Sequence, residues 1–254
     1  MILFKKKKIV VDCFTYVRSV YELYSIKPAI HYFPEEIKRV PNYYDAVNPR
    51  TNISMPASTI KRCLGIIELY KHGAIIPMWT DSKFVPSNWE TKKGAIFLIH
   101  NGFELTLHNT QQFPGLYVDY LPCKFGSPWR FREKNGVQFT WNPPFFNIHN
   151  TMKNFLIPPG VTSYKYQSET NINIFVNRKS EDFMVEAGTP MVHIIPITDS
   201  EVVYKNHLVD MNEFFKVGIP PEWGQLVPNR YNRWVRAQKE IEERKGKCPF
   251  GFGK

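Results

Sequence analysis

Apolar residues recur along this chain with two different periods, and the change falls near residue 74. In "STIKRCLGIIELYKHG", residues 58–73, Ile60, Cys63, Leu64, Ile67 and Tyr70 share one stripe at helical spacing. Ser58 stands where a cap belongs, and Gly73 where a left-handed stop belongs. The spacing predicts one internal helix at about 58–72 with its stripe, Cys63 included, packed into a core. From residue 74 the alternation becomes twofold. Strands are expected at 74–79, 95–100, 103–108, 116–120, 129–132, 136–141, 171–177, 182–186 and 190–197, after an early one through Ile9, Val10 and Val11 that Cys13 and Phe14 extend. Asn101-Gly102, Pro114-Gly115, Asn135-Gly136, Pro159-Gly160 and Ala187-Gly188 punctuate most of them. Many short strands at this spacing predict a mainly β fold, an antiparallel sandwich or barrel.

Two stretches break the pattern. Residues 28–50 hold four prolines, Pro28, Pro34, Pro41 and Pro49, which preclude a long helix but leave room for one turn from Glu35 to Arg39. This segment reads as an ordered loop docked by Tyr32, Phe33, Tyr43 and Tyr44. Residues 218–247 have a Pro-rich lead-in and then a helical pattern at about 229–245. Residues 1–215 are therefore expected to form one β-rich domain, whose first 73 residues contain the Pro-rich loop and the helix. Residues 216–254 add a linker, a C-terminal helix and a tail. That helix packs on its own sheet, or docks on a neighbouring subunit through Trp223, Tyr231, Trp234 and Ile241.

Composition adds bounds. The chain has 254 residues, 43% hydrophobic and 22% charged, a globular profile. No run of 18 apolar residues predicts a membrane helix, and "MILFKKKKIVVDCF" lacks the features of a signal peptide. Cys13, Cys63, Cys123 and Cys248 are widely spaced and form no CxxC pair, which reads as reduced thiols. The net charge of +10 is compatible with non-specific attraction to nucleic acid, or with a solvated face.

Candidate chemistry is sparse. No HxxxH, HxH, GxSxG, GxxxxGK[ST] or GxGxxG pattern is present. His100 and His108 could meet across a hairpin but lack a third ligand, so no metal is expected. His193, between Val192 and Ile194, reads as a packed histidine. In "SPWRFREKNGVQFTW", Trp129 and Phe131 alternate with Arg130 and Arg132, which assigns the rings to a core face and the guanidinia to the other.

"PGVTSYKYQSETNINIFVNR", residues 159–178, reads as a turn followed by a strand in which Ile172, Ile174 and Val176 alternate with asparagines. From Pro159 to Ile197 the chain resembles the third conserved region of trimeric dUTPases, relatives of the dCTP deaminases with a β-clip fold. The matching positions are Gly160, Val161, Tyr166, Asn177, Arg178, Phe183, Val185, Gly188 and Ile194. The resemblance implies a β-clip-like barrel as one form of the expected fold. It also places Ser163 where the family carries its catalytic Asp, and Lys165 at the next Asp. A serine cannot serve as a carboxylate base, so no catalytic residue is expected. A site of this shape would bind a nucleotide without hydrolysing it, through Ser127, Arg130, Ser163, Lys165 and Tyr166. Over most of residues 9–210 the chain further resembles an uncharacterised protein family of tailed bacteriophages, notably marine ones. "TIKRCLGIIELYKHGAIIPMWTD", "SPWRFREKNGVQFTW", "PGVTSYKYQSETNIN" and "GTPMVHIIP" carry that likeness.

These readings lead to one expectation and one alternative. The expectation is a virion structural or assembly component (neck, tail, baseplate or capsid-associated) that uses no cofactor and joins protein partners or copies of itself. The alternative is a non-hydrolytic nucleotide-binding or host-directed accessory protein. The place is the virion or the host cytoplasm.

Overall fold

The computed structural model describes residues 8–86, 105–108, 112, 119–145, 153–165, 167–217, 236 and 240. The first half of the chain contributes β1 (Lys8–Thr15), β2 (Lys27–Pro28), β3 (Tyr43–Val47), β4 (Ser54–Ser58), β5 (Ala74–Pro77), β6 (Ser82–Phe84), β7 (Leu105–Leu107) and β8 (Tyr120–Phe125). The second half contributes β9 (Arg130–Glu133), β10 (Gln138–Asn142), β11 (Phe155–Leu156), β12 (Gly160–Ser163), β13 (Ile172–Asn177), β14 (Phe183–Val185), β15 (Pro190–Pro196) and β16 (Glu201–Leu208). Short α-helices among the described residues include α1 (Arg18–Leu23), α2 (Glu35–Arg39), α3 (Leu64–Lys71) and α4 (Met211–Val217). The protein is mainly β, as the alternation predicts.

Three sheets enclose the core. A five-stranded antiparallel sheet runs β12-β10-β15-β5-β2, and a four-stranded antiparallel sheet runs β11-β13-β8-β7. The third runs β16-β1-β9, with β1 parallel to β16 and antiparallel to β9. Two further pairs, β14-β6 and β3-β4, are hairpin-sized. The described strand orders stay open and close no barrel. Aromatic residues fill the space between the sheets. Phe84 stacks on Phe183 at 4.6 Å and meets Phe125 edge-on at 5.7 Å, while Tyr164 lies 5.0 Å from both Phe131 and Phe139. Trp129 and Phe131 are buried and Arg132 is exposed, as their alternation requires. A smaller cluster gathers Ala29, Ile37, Ile66, Tyr70 and Ile75, with Tyr32 and Phe33 packed against it.

Several elements differ from the sequence reading, each for a local reason. The helix expected at 58–72 is a 3-10 turn at Ile60–Arg62 followed by α3, because Cys63 between them is extended at φ −70°, ψ 103°. That break resets the helical phase. Ile66 and Tyr70, four residues apart, become the buried face, and Ile60, Cys63 and Leu64 stay exposed. Ser58 ends β4 and caps nothing, whereas Gly73 does take a left-handed conformation at φ +76°. Within 28–50 the Glu35–Arg39 turn forms, but Tyr43 and Tyr44 lie in β3 and are exposed rather than docked. Pro159-Gly160 makes no turn of its own: Gly160 opens β12 opposite Trp141, and the chain turns at Tyr164 and Lys165. β8 runs from Tyr120 past Pro122, beyond the strand expected to end at 120. The β1–β16 pairing is parallel, and the pattern of β16 does not alternate.

The expected hairpin at Asn101-Gly102, the strand at 95–100, and Trp223, Tyr231, Trp234 and Ile241 lie outside the described residues. So does most of the expected 229–245 helix, within which Arg236 and Glu240 are helical and exposed. No helix among the described residues is long and apolar enough to cross a membrane.

Candidate functional site

The prolines after β11 determine where a cleft forms. Ile157, Pro158 and Pro159 lead into β12, and proline has a fixed φ and no N–H to donate to a ladder. The chain therefore stands off as an irregular strip until Gly160, where pairing with β10 begins. β12 is an edge strand of its sheet. After the Tyr164–Lys165 turn, residues 167–171 run back and lead into β13. Between the outgoing strip and this return lies an open cleft of about 190 Å³.

The lining is mixed: Trp141, Ile157, Pro158, Pro159 and Val161, with Gly160, are apolar, and Thr162, Gln167, Glu169, Asn171 and Asn173 are polar. These polar groups are held in place. Asn171 Oδ1 accepts the Ser127 N–H at 3.1 Å, and Asn171 Nδ2 donates to Glu169 Oε2 at 3.0 Å. Asn173 Oδ1 lies 3.1 Å from His108 Nε2. Thr162 Oγ1 donates to Gln167 Oε1 at 3.4 Å. The Trp141 indole N–H donates to the Tyr164 hydroxyl at 2.7 Å, so the indole offers the cleft its ring. Tyr164 itself is completely buried, and burial holds its phenol protonated, well above the usual tyrosine value.

The residues singled out from the sequence do different work. Ser127 is a corner post: its Oγ accepts the Trp129 N–H at 3.1 Å and lies 2.8 Å from Thr170 Oγ1, which donates to the Trp129 carbonyl at 2.7 Å. Arg130 turns toward α4. Its Nη1 donates to the Phe214 and Phe215 carbonyls at 3.0 and 3.2 Å, and the guanidinium lies 4.6 and 5.1 Å from their ring centroids. A cation at these last-turn carbonyls is favoured by the helix dipole. Ser163 pairs with Gln138 in the β12–β10 ladder, and its buried Oγ has no hydrogen-bond partner among the described residues. Lys165 lies over the Asn135–Gly136 turn. Tyr166 lies outside the described residues. Thus Ser127 meets the cleft only through Asn171, and none of the four described candidates lines it.

Two groups have roles that motif reading did not assign, and His193 has the one it did. Of the lining side chains, Gln167, Glu169 and Asn171 lie in the all-polar stretch before β13 and Asn173 lies in β13 itself, where its alternation with Ile172 and Ile174 was the only signal. Glu133, nearly completely buried, accepts four bonds within one turn. They come from the Asn135 N–H (2.5 Å), Asn135 Nδ2 (2.8 Å), Gly136 N–H (2.7 Å) and Val137 N–H (2.9 Å). That makes it a structural carboxylate, spent on a turn. His193 is packed as expected, with Nε2 donating to the His72 carbonyl at 2.8 Å; burial lowers its pKa below the ordinary imidazole value.

Among the described residues no three His, Cys, Asp or Glu side chains converge to hold a metal ion. The cleft holds one carboxylate, Glu169, and no second acid among its described lining residues. The geometry suits recognition by shape and hydrogen bonding. No protein-family model matches this chain, and no curated protein matches it.

Proposed function

We propose that this protein is a non-catalytic component of a tailed-phage virion, which takes its place in the particle by docking an exposed β-hairpin on a neighbouring subunit. The observation that carries the reading is the β3–β4 pair. Among the described residues it belongs to no larger sheet, and Tyr44, Val47 and Met55 are 55%, 58% and 59% exposed. An isolated two-stranded hairpin is marginal in water, and apolar residues on such an element gain by being covered. Its base is anchored: Thr59 N–H donates to the Asn42 carbonyl at 3.1 Å, and the Arg62 guanidinium lies 4.6 Å from the Tyr43 ring centroid. Its far end is shaped by Asn52 at φ +53°. A pinned base with a free apolar blade is the form of a docking arm. The sequence likeness to tailed-phage proteins over residues 9–210 supports the setting.

The nucleotide-binding alternative has less support, because Arg130 is committed to α4 and the cleft carries a carboxylate where phosphates would need cations.

Two measurements test the proposal together. Mass spectrometry of purified particles should find the protein at a stoichiometric level; its absence overturns the virion role. The double variant Tyr44→Asp/Met55→Asp should fold normally, because both side chains face solvent, yet fail to enter particles. Incorporation at the wild-type level overturns the hairpin as the arm.

A further inference from the structure

We propose that the cleft between β12 and the 167–173 strand lead-in binds a neutral saccharide unit. A sugar ring has two chemical aspects: C–H faces that are apolar, and a rim of hydroxyls that each donate and accept. The cleft lining offers both kinds of partner. Trp141, Pro158, Pro159 and Val161 supply apolar surface, with the indole N–H already used on Tyr164. The same cleft is lined by the amides of Gln167, Asn171 and Asn173, the Thr162 hydroxyl and the Glu169 carboxylate. Amides offer donors and acceptors in one plane, as a row of hydroxyls requires.

Charge and size narrow the class. The described lining residues include no lysine or arginine and one acid; Arg130 forms a β-bridge with Glu169 from outside the lining but gives its hydrogen bonds to α4, so a phosphate or sulfate group would find no cation in the cleft itself. The volume of about 190 Å³ is below that of pockets for drug-sized ligands, and suits a single ring with its substituents. The polar lining is also preorganised: Asn171 is tied to Glu169 and to the Ser127 backbone, and Asn173 meets His108. Side chains already held in place lose less freedom when a ligand arrives. The cleft and the β3–β4 hairpin share no residue, so this inference stands or falls independently of the docking arm.

The test is saturation-transfer NMR on the full chain. The panel is glucose, galactose, mannose and N-acetylglucosamine, with methyl phosphate and uridine 5′-monophosphate as anionic controls. Transfer to at least one sugar and to neither anion is expected, with Glu169→Gln/Asn173→Ala weakening the binding by about tenfold or more. Because both side chains are solvent-facing, the variant should keep its near-UV circular dichroism. Should it lose that signature, Val161→Lys, at a 62% exposed position of the cleft lining, replaces it with the same expected loss. No transfer to any sugar at about 20 mM, a span that covers the weakest useful affinities, overturns the proposal. Unchanged binding in the folded variants also overturns it, as does a response to the nucleotide alone.

Discussion

Glu133 shows how a buried carboxylate can be structural. It sits at the end of β9 and accepts four bonds from the turn that leads to β10, so its charge is distributed over donors that would otherwise lack partners. Glu133→Gln would aim an amide N–H₂ at two of those N–H groups. Chemical denaturation should show a loss of about 1–3 kcal/mol, while Glu169→Gln, exposed in the cleft, should change stability by under about 0.5 kcal/mol. Equal effects would remove the special role of Glu133. His193 carries a different consequence. Burial lowers its pKa from the ordinary 6.5, although the bond to the His72 carbonyl partly opposes this. The unfolded chain then binds the proton more readily than the folded one. The contribution is fully present above pH 6.5 and is lost as pH falls from there through the depressed folded value. Wild type should therefore lose more stability between about pH 7.5 and 5.5 than His193→Gln does. Parallel losses would mean that His193 is not the group responsible. Both residues were only partly legible: His193 was marked by its apolar neighbours, but nothing in a line of letters shows four N–H donors converging on Glu133.

At the scale of elements, alternation was the informative signal, and its failures have causes. β9, β10, β13, β14 and β15 lie close to where the sequence predicts them: β9 and β14 alternate buried and outward positions, while β13 and β15, buried at consecutive positions, are marked by their apolar runs. The helix expected at 58–72 forms only from Leu64, because the extended Cys63 shifts the phase; Ile60, Cys63 and Leu64 of the expected stripe are exposed, while Tyr70 stays buried. The cleft was invisible for a related reason. Its walls come from β10, an irregular Pro-rich strip and a strand lead-in, and no local period encodes their meeting. One element junction gives a sharp prediction. Gly73 ends α3 at φ +76° and lies so close to β15 that a Cβ there would overlap the Ile194 carbonyl oxygen. Gly73→Ala should cost at least about 2 kcal/mol, since both the conformation and the space forbid it. Gly160→Ala has open space around it and should stay within about 0.5 kcal/mol. Thermal unfolding of the two variants compares them directly; similar midpoints would show that β5 and β15 can separate at this point without cost.

On the scale of the whole molecule, the outline was readable and the wiring was not. Composition and turn spacing led to a mainly β domain. They could not show that β1 pairs with β16, because pairing partners so distant in sequence leave no trace in either segment. Lys8 and Glu201, 193 positions apart, are neighbours in this ladder, and their side chains meet at 2.8 Å. β16 also carries the chain into α4, which receives Arg130 from β9, so both flanks of β1 depend on residues beyond 200. The same distance obscured the cleft and the Arg130 clasp, each assembled from segments whose relation appears only in the fold.

The parallel β1–β16 seam also bears on the protein's birth. A ribosome extends a chain at about 5–20 residues per second, so the first strand emerges roughly 10–40 s before its partner does. During that interval Val11 and Cys13, completely buried in the finished molecule, have no β16 beside them. Any product that terminates before residue 201 would keep that edge unsatisfied and present a template for aggregation.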